Sequence, residues 1–303
     1  MAFPLSVRLG PFGDPRRGYE VSRWDFLLLH GINRGSPDSL PRPAAPWRAA
    51  RWPGRPRPHK AVSNDLLILS FIIPTYNQRA RTARAAAAVV EFFRTHSCER
   101  TELIVVDDGS LPGQAVEPGD LPPGTTLIRH QRNMGKGGAV RSGVIQARGS
   151  YIVFTDSDLP FSLEPLATTL EWLRDGADIV IGERHHVESP SAIQVTRARR
   201  LSSVAYTWVV HHLLSLDYPD IQCGYKGYRA AVAKDLFGRL EVTSFAFEAE
   251  IMLRAQKAGY QIRRLPVRLV HDEDSSVRLT RHAPRMLLDT LRIAWRERRG
   301  AYD

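Results

Sequence analysis

Three short apolar runs, each breaking off abruptly into polar residues, constrain the fold of this chain more than any other feature. They are Leu69-Ser-Phe-Ile-Ile-Pro-Thr-Tyr-Asn77, Glu102-Leu-Ile-Val-Val-Asp-Asp-Gly-Ser110 and Tyr151-Ile-Val-Phe-Thr-Asp-Ser-Asp158. Between the first two lies Ala80 to Arg94, an alanine-rich, helix-favouring segment ending in Val89, Val90, Phe92 and Phe93. Continuous apolar runs that alternate with helices predict a buried, mostly parallel sheet with βαβ crossovers. Ligands of such sheets bind beyond the carboxyl ends of the strands. All three polar breaks fall at those ends, so they are expected to converge on one crevice.

The third run carries the sharpest chemistry. Asp156 and Asp158 are spaced i, i+2, which on a strand turns both side chains to one face. Carboxylate oxygens suit hard ions, and Mg²⁺ is commonly held by one or two carboxylates plus substrate phosphates. Alone, the pair is weak evidence, because turns after strands favour Asp for local reasons. Asp107-Asp108-Gly109 after the second run is equally consistent with an ordinary turn. Asn133-Met-Gly-Lys-Gly-Gly-Ala-Val-Arg-Ser-Gly143 reads as a glycine-rich turn feeding a helix. Its backbone N–H groups are expected to approach an anion, with Lys136 and Arg141 adding charge. The alternative is a helix-capping loop. The spacing of a Walker loop is absent.

From about Leu66 to Val277 the sequence resembles family-2 glycosyltransferases of the GT-A fold. The strings that carry the resemblance are Ile73-Pro-Thr-Tyr-Asn77, Val106-Asp-Asp-Gly-Ser110, Asn133 to Arg141, Asp156-Ser-Asp158, Gly182-Glu-Arg184, Asp220-Ile-Gln-Cys-Gly-Tyr-Lys226 and Phe245-Ala-Phe-Glu-Ala-Glu250. The Gly-Lys-Gly-Gly and Asp-x-Gln-Cys-Gly-Tyr-Lys strings point further, to dolichyl-phosphate glucosyltransferases and bacterial polyprenyl-phosphate glycosyltransferases. The resemblance implies an α/β, Rossmann-like, mostly parallel sheet flanked by helices. It also implies an inverting transfer of a sugar, glucose foremost, from a UDP-sugar donor to a polyprenyl or dolichyl phosphate acceptor.

The resemblance also distributes roles. Pro74, Thr75, Tyr76 and Asp108 are expected around the donor base and ribose, and Lys136 and Arg141 near its pyrophosphate or sugar. Asp156 and Asp158 are expected on Mg²⁺ or Mn²⁺, with Asp156 also beside the nucleotide sugar and His271 as a further ligand. Arg184 and Arg199 would meet donor or acceptor phosphates, arginine's fork suiting bidentate phosphate recognition. Asp220 would be catalytic or phosphate-orienting, and Gln222, Lys226 and Glu248 would line the acceptor side. An acidic amino-terminal helix cap is the plainer account of Glu248 and Glu250. Two rival activities are a GDP-mannose-dependent transfer to the same lipid and glycosylation of a soluble hydroxyl acceptor, where Asp220 or Glu248 must act as a base.

Composition sets the surroundings. The formal charge is +10, and residues 1–65 hold eleven Lys/Arg against five Asp/Glu, a net +6. Residues 35–60 are dominated by Pro, Arg, Gly and Trp, so residues 1–65 are expected to be a basic, poorly ordered arm. Residues 66–277 are expected to form the enzyme domain, and residues 278–303 an amphipathic helical tail. In that tail Leu287, Leu288, Leu291, Ala294 and Trp295 are spaced as one helical face fringed by arginines, which suits either an anionic membrane surface or packing on the domain. Binding of nucleic acid or membrane without catalysis is the outlying reading, and it leaves Asp156 and Asp158 without a purpose. The two cysteines allow no disulfide framework, so a reduced, cytoplasmic setting is expected, and the resemblance adds a peripheral place on the cytoplasmic membrane face. The longest run free of Asp, Glu, Lys and Arg near the middle, Leu201 to Leu216, has sixteen residues, short of the roughly 20 that a span needs.

Overall fold

The computed structural model describes residues 68–96, 100–184, 197–216, 218, 220–268 and 279–302, with the backbone alone described at 197–205 and 279–282. The expected arm and His271 lie outside the described residues. The first run forms β1 (Leu69–Thr75), followed by helix α1 (Arg79–Thr95), β2 (Thr101–Asp107), a 3₁₀ turn (Pro118–Asp120) and β3 (Thr126–Arg129). Helix α2 (Lys136–Gln146), β4 (Tyr151–Phe154), α3 (Pro165–Arg174) and β5 (Ile179–Glu183) come next. The remainder is α4 (Arg197–Leu214), β6 (Lys226–Arg229), α5 (Ala230–Gly238), α6 (Phe247–Lys257), β7 (Ile262–Pro266) and α7 (Leu279–Arg298). Among the described residues no helix is long and apolar enough to cross a membrane.

The strands form one sheet in the order β3-β2-β1-β4-β6-β5-β7. Strands β3, β2, β1 and β4 are parallel neighbours, and β6 runs antiparallel to both β4 and β5. The expected parallel sheet is therefore present with one reversed strand inserted. That insertion brings the start of β6 to the end of β4, with Lys226 opposite Phe154. The Asp-x-Gln-Cys-Gly-Tyr-Lys string thus arrives beside the Asp156 turn.

Alternation along the strands divides the core between the two faces. Ile72, Ile104, Val106, Ile152 and Phe154 face α2, α5 and α6. Phe71, Ile73, Leu103, Val105 and Val153 face the opposite way, with Ala85, Ala86, Val89 and Phe93 of α1. Phe71 and Phe93 meet edge to face at 5.9 Å. Helix α2 presses close because Gly143 has no side chain: a Cβ there would lie 2.6 Å from Ile72 Cγ2.

A buried carboxylate fastens the other end of the sheet. Glu102 accepts hydrogen bonds from Ser70 Oγ (2.6 Å), the Arg148 backbone N–H (2.7 Å) and the Arg148 guanidinium (2.8 Å). Burial alone would raise its pKa, but these donors outweigh it and hold it below the ordinary value of 4.5. A lowered folded-state pKa gives stability that is complete above the unfolded value and lost as pH falls through the folded one. Glu102→Gln should therefore cost about 1–3 kcal/mol at neutral pH. The difference from wild type should shrink below about pH 4.5 in urea titrations.

Candidate active site

Five of the expected residues meet beyond the carboxyl ends of β1 and β4. Lys136, the first residue of α2, places Nζ 2.8 Å from Asp156 Oδ1 and 3.0 Å from Glu248 Oε1. The other Glu248 oxygen accepts from Lys226 Nζ, which also donates to the Cys223 carbonyl at 2.6 Å. Asp158 stands beside Asp156. Lys226 and Glu248 are only 1% and 3% exposed, so their charges are sustained by each other. Burial would lower the Lys136 pKa, but Asp156 and Glu248 outweigh it and keep the ammonium above its ordinary value.

Asp158 is held differently. Burial and the charge of Asp156 raise its pKa, and its own backbone N–H, Arg81 and Lys136 only partly oppose them. Its buried Oδ1 has no hydrogen-bond partner. Such an atom is costly unless something completes it. With the Asp156 carboxylate adjacent, the donor set is two hard oxygens, which fits a divalent cation better than a soft one. No group of three or more His, Cys, Asp or Glu among the described residues could hold a metal. A cation here would therefore complete its shell with water or donor phosphates.

A second ion pair lies next to this group. Arg184, just past β5, clasps Asp220 in a fork: Nε to Oδ2 at 2.9 Å and Nη2 to Oδ1 at 2.7 Å, with the Arg184 backbone N–H also on Oδ2 at 2.9 Å. Asp220 is 4% exposed. Burial opposes the Arg184 charge, but Asp220, helped by the field of Cys223 and Glu248, raises its pKa further. Gln222 is half-buried in the turn after Asp220. The backbone of Arg199 lies in the first turn of α4, and its side chain is outside the described residues.

Several expected residues are engaged elsewhere. Arg141 donates to the carbonyls of Gly238 (3.2 Å) and Leu240 (3.4 Å), tying α2 to the end of α5 rather than joining the cluster. Five residues along a helix is nearly one and a half turns, so Lys136 and Arg141 point apart. Arg141→Ala should leave sugar transfer at the wild-type rate while lowering stability by about 1 kcal/mol, read by initial rates and urea unfolding of the same preparations.

The glycine-rich loop is likewise corrected. The Met134 and Gly135 N–H groups donate to Asp108 at 2.8 Å each, and the Gly137 N–H donates to the Thr243 carbonyl at 2.8 Å. These N–H groups are therefore spent inside the fold, and of the loop's two expected cations only Lys136 faces the site. The glycines serve packing: a Cβ on Gly135 would lie 2.4 Å from the Thr243 carbonyl oxygen, and one on Gly137 would lie 2.6 Å from Phe247 Cβ. Asp108, buried and also 2.7 Å from His130 Nδ1, anchors this loop in the present structure. Pro74 and Thr75 are buried within β1, Thr75 sharing a hydrogen bond with Thr82, while Tyr76 is exposed at the strand end. Glu250 accepts from the Glu241 and Val242 N–H groups and from Arg254, so that half of the acidic pair caps a loop.

One residue of the site had no role in the sequence reading. Gly224 packs against the Asp156 carboxylate so closely that a Cβ would lie 1.9 Å from Oδ2. Its position in the Asp-x-Gln-Cys-Gly-Tyr-Lys string was legible, but the contact it permits was not.

Comparison with known proteins identifies the family and the fold. Residues 70–237 match the model of glycosyl transferase family 2. A dolichyl-phosphate beta-glucosyltransferase of Mus musculus is 31% identical over 228 residues, covering 69% of each chain. One of Drosophila melanogaster is 30% identical over 230 residues, covering 70% of this chain and 69% of that protein. Among solved structures, mannosyl-3-phosphoglycerate synthase from Rubrobacter xylanophilus superposes with a TM-score of 0.54 at 19% identity, over 78% of this chain and 75% of that one. Glucosyl-3-phosphoglycerate synthase from Mycobacterium tuberculosis, in complex with Mn²⁺, UDP-glucose and phosphoglyceric acid, gives 0.51 at 17% identity, over 75% and 79%. These structures support the fold, and the family match covers more than half of the sequence. The chain belongs to glycosyl transferase family 2 and is an enzyme of the hexosyltransferase class.

Proposed function

We propose that this enzyme transfers glucose from UDP-glucose to a polyprenyl phosphate, by a single inverting displacement that depends on a divalent cation. The observation that carries the choice of acceptor is the state of the site's carboxylates. Asp220 is clasped by Arg184, and both Glu248 oxygens are held by lysines. Neither is poised to take a proton from a sugar or glycerol hydroxyl. A phosphate monoester needs no such help, since its second pKa is about 6 and it is already anionic near neutral pH. What it needs is positive charge, and Arg184 supplies a guanidinium whose orientation Asp220 fixes. Relatives named dolichyl-phosphate beta-glucosyltransferase support the same acceptor class and the sugar.

In this reading Asp156 and Asp158 hold Mg²⁺ or Mn²⁺, which when bound offsets charge on the departing diphosphate. Lys136, already paired with Asp156, would add a cation beside the same leaving group. An oxygen of the acceptor phosphate forms the new bond to the anomeric carbon. The bond from that carbon to UDP breaks on the opposite face, and a β-linked lipid sugar phosphate results. Tyr76, exposed at the end of β1, would border the nucleotide, and Asp108 would act only indirectly, by setting the loop that carries Lys136. The enzyme would work peripherally, at the face of the membrane that carries its acceptor.

The test is an incubation with a panel of nucleotide sugars, with and without polyprenyl phosphate. UDP-glucose should be consumed and a lipid-soluble product formed only when both are present. Preference for GDP-mannose would replace the donor. Transfer to a water-soluble hydroxyl compound, with polyprenyl phosphate ignored, would overturn the acceptor.

A further inference from the structure

The outer side of α7 carries two parallel stripes. Leu287, Leu291 and Trp295 recur every four residues, and Leu288 lies alongside them. They are 43%, 45%, 54% and 65% exposed. Arg285 and Arg292 of α7, with Arg299 in the turn just after it, follow at seven-residue spacing beside them and are all exposed, Arg285 also pairing with Asp289 at 3.4 Å. The guanidinium of Arg299 stacks on Trp295 at 3.9 Å, joining the two stripes.

The inner side is anchored. Met286, Thr290 and Ile293 are buried, Thr290 shares a hydrogen bond with Tyr206 of α4 at 3.0 Å, and Glu297 pairs with Lys257 of α6 at 2.9 Å. A helix with one packed face ordinarily turns polar residues outward. Here leucines and a tryptophan remain outside although the helix is already docked, so packing on its own domain does not account for them.

Charge selects the occupant. Residues 1–65 carry a net +6, the same sign as the arginine line. A second copy joined about a twofold axis would bring the same patch against itself, setting arginine against arginine where the helices run antiparallel and arginine against leucine where they run parallel. An anionic bilayer surface suits both stripes, with apolar side chains and Trp entering the interface and arginines meeting lipid phosphates. We propose that α7 lies flat on an anionic lipid surface through this two-stripe face. The inference rests on the reading above for why such a surface would be visited, and it names which surface makes the visit.

The experiment uses the full chain and three proteins: wild type, Leu288→Gln/Trp295→Gln, and Arg285→Gln/Arg292→Gln/Arg299→Gln. Co-sedimentation is measured with vesicles of phosphatidylcholine alone and of phosphatidylcholine mixed with phosphatidylglycerol. The arginine variant should lose on the order of 10²-fold in partitioning to the anionic vesicles at low salt, about one kcal/mol per arginine. The Leu/Trp variant should lose binding at low and high salt alike, because its contribution is not screened. Binding unchanged in both variants would overturn the proposal. So would a concentration-dependent dimer in the absence of lipid that both variants dissolve. Transfer to a short-chain, water-soluble prenyl phosphate should be the same in all three proteins. Its absence in all three, with vesicle binding as expected, would defeat the proposed reaction and leave the docking face standing.

Discussion

Asp158→Ala should lower sugar transfer by about 10²–10³-fold while the protein unfolds in urea no earlier than wild type. The second half of that expectation is as informative as the first. Asp158 Oδ1 is buried with no hydrogen-bond partner, and the side chain is held in the unfavourable field of Asp156. Its removal therefore relieves a cost in the folded protein, whereas deleting a partnered buried carboxylate would add one. EDTA should abolish wild-type transfer, and Mn²⁺ or Mg²⁺ should restore it. Direct titration with Mn²⁺ should show weaker binding to Asp158→Ala even without donor. Full activity in EDTA, or a variant that is both active and less stable, would mean that the orphaned oxygen serves the fold and not a cation.

How much of this was legible depends on how local each signal is. The three runs ending in Asn77, Ser110 and Asp158 announce β1, β2 and β4, because burial on both faces of a parallel strand leaves a continuous apolar string. Asp156 and Asp158 are legible for the same reason, as the place where such a string stops. Strand β6 is not: Lys-Gly-Tyr-Arg has no strand-like pattern, and Lys226 is buried only because Glu248, 22 residues on, receives its charge. The pairing of Lys136 with Glu248 spans 112 residues and leaves no local trace at either end. The glycine-rich loop shows the opposite failure, in which a correct motif carries the wrong physical reason. Anion cradles and tight packing both select glycine, and only the positions of Asp108 and Thr243 show that the N–H groups are already taken. Arg141 fails by direction, since a charge in the right string still points where its helix turns it.

Those long-range pairings give the second large expectation, which concerns Glu248. As an acceptor-side contact, its loss would raise the acceptor KM and spare the fold. The geometry gives it a different task, because its two oxygens hold the ammonium groups of Lys136 and Lys226, the latter 1% exposed. Glu248→Ala should leave the buried Lys226 ammonium without its counter-charge and with the partly buried Lys136 nearby, and removing one member of a buried ion pair typically costs about 3–5 kcal/mol. For a chain of this size the melting temperature should fall by on the order of 10 °C. Transfer should fall with it, because Lys136 would keep only Asp156 as a partner. Replacing Lys226 as well, as in Glu248→Ala/Lys226→Met, removes the stranded charge and should recover a large part of the lost stability. Recovery of stability without full recovery of transfer would separate the two tasks of the glutamate. A stable Glu248→Ala protein with only a raised acceptor KM would return Glu248 to the acceptor side and remove it from the centre of the lysine cluster.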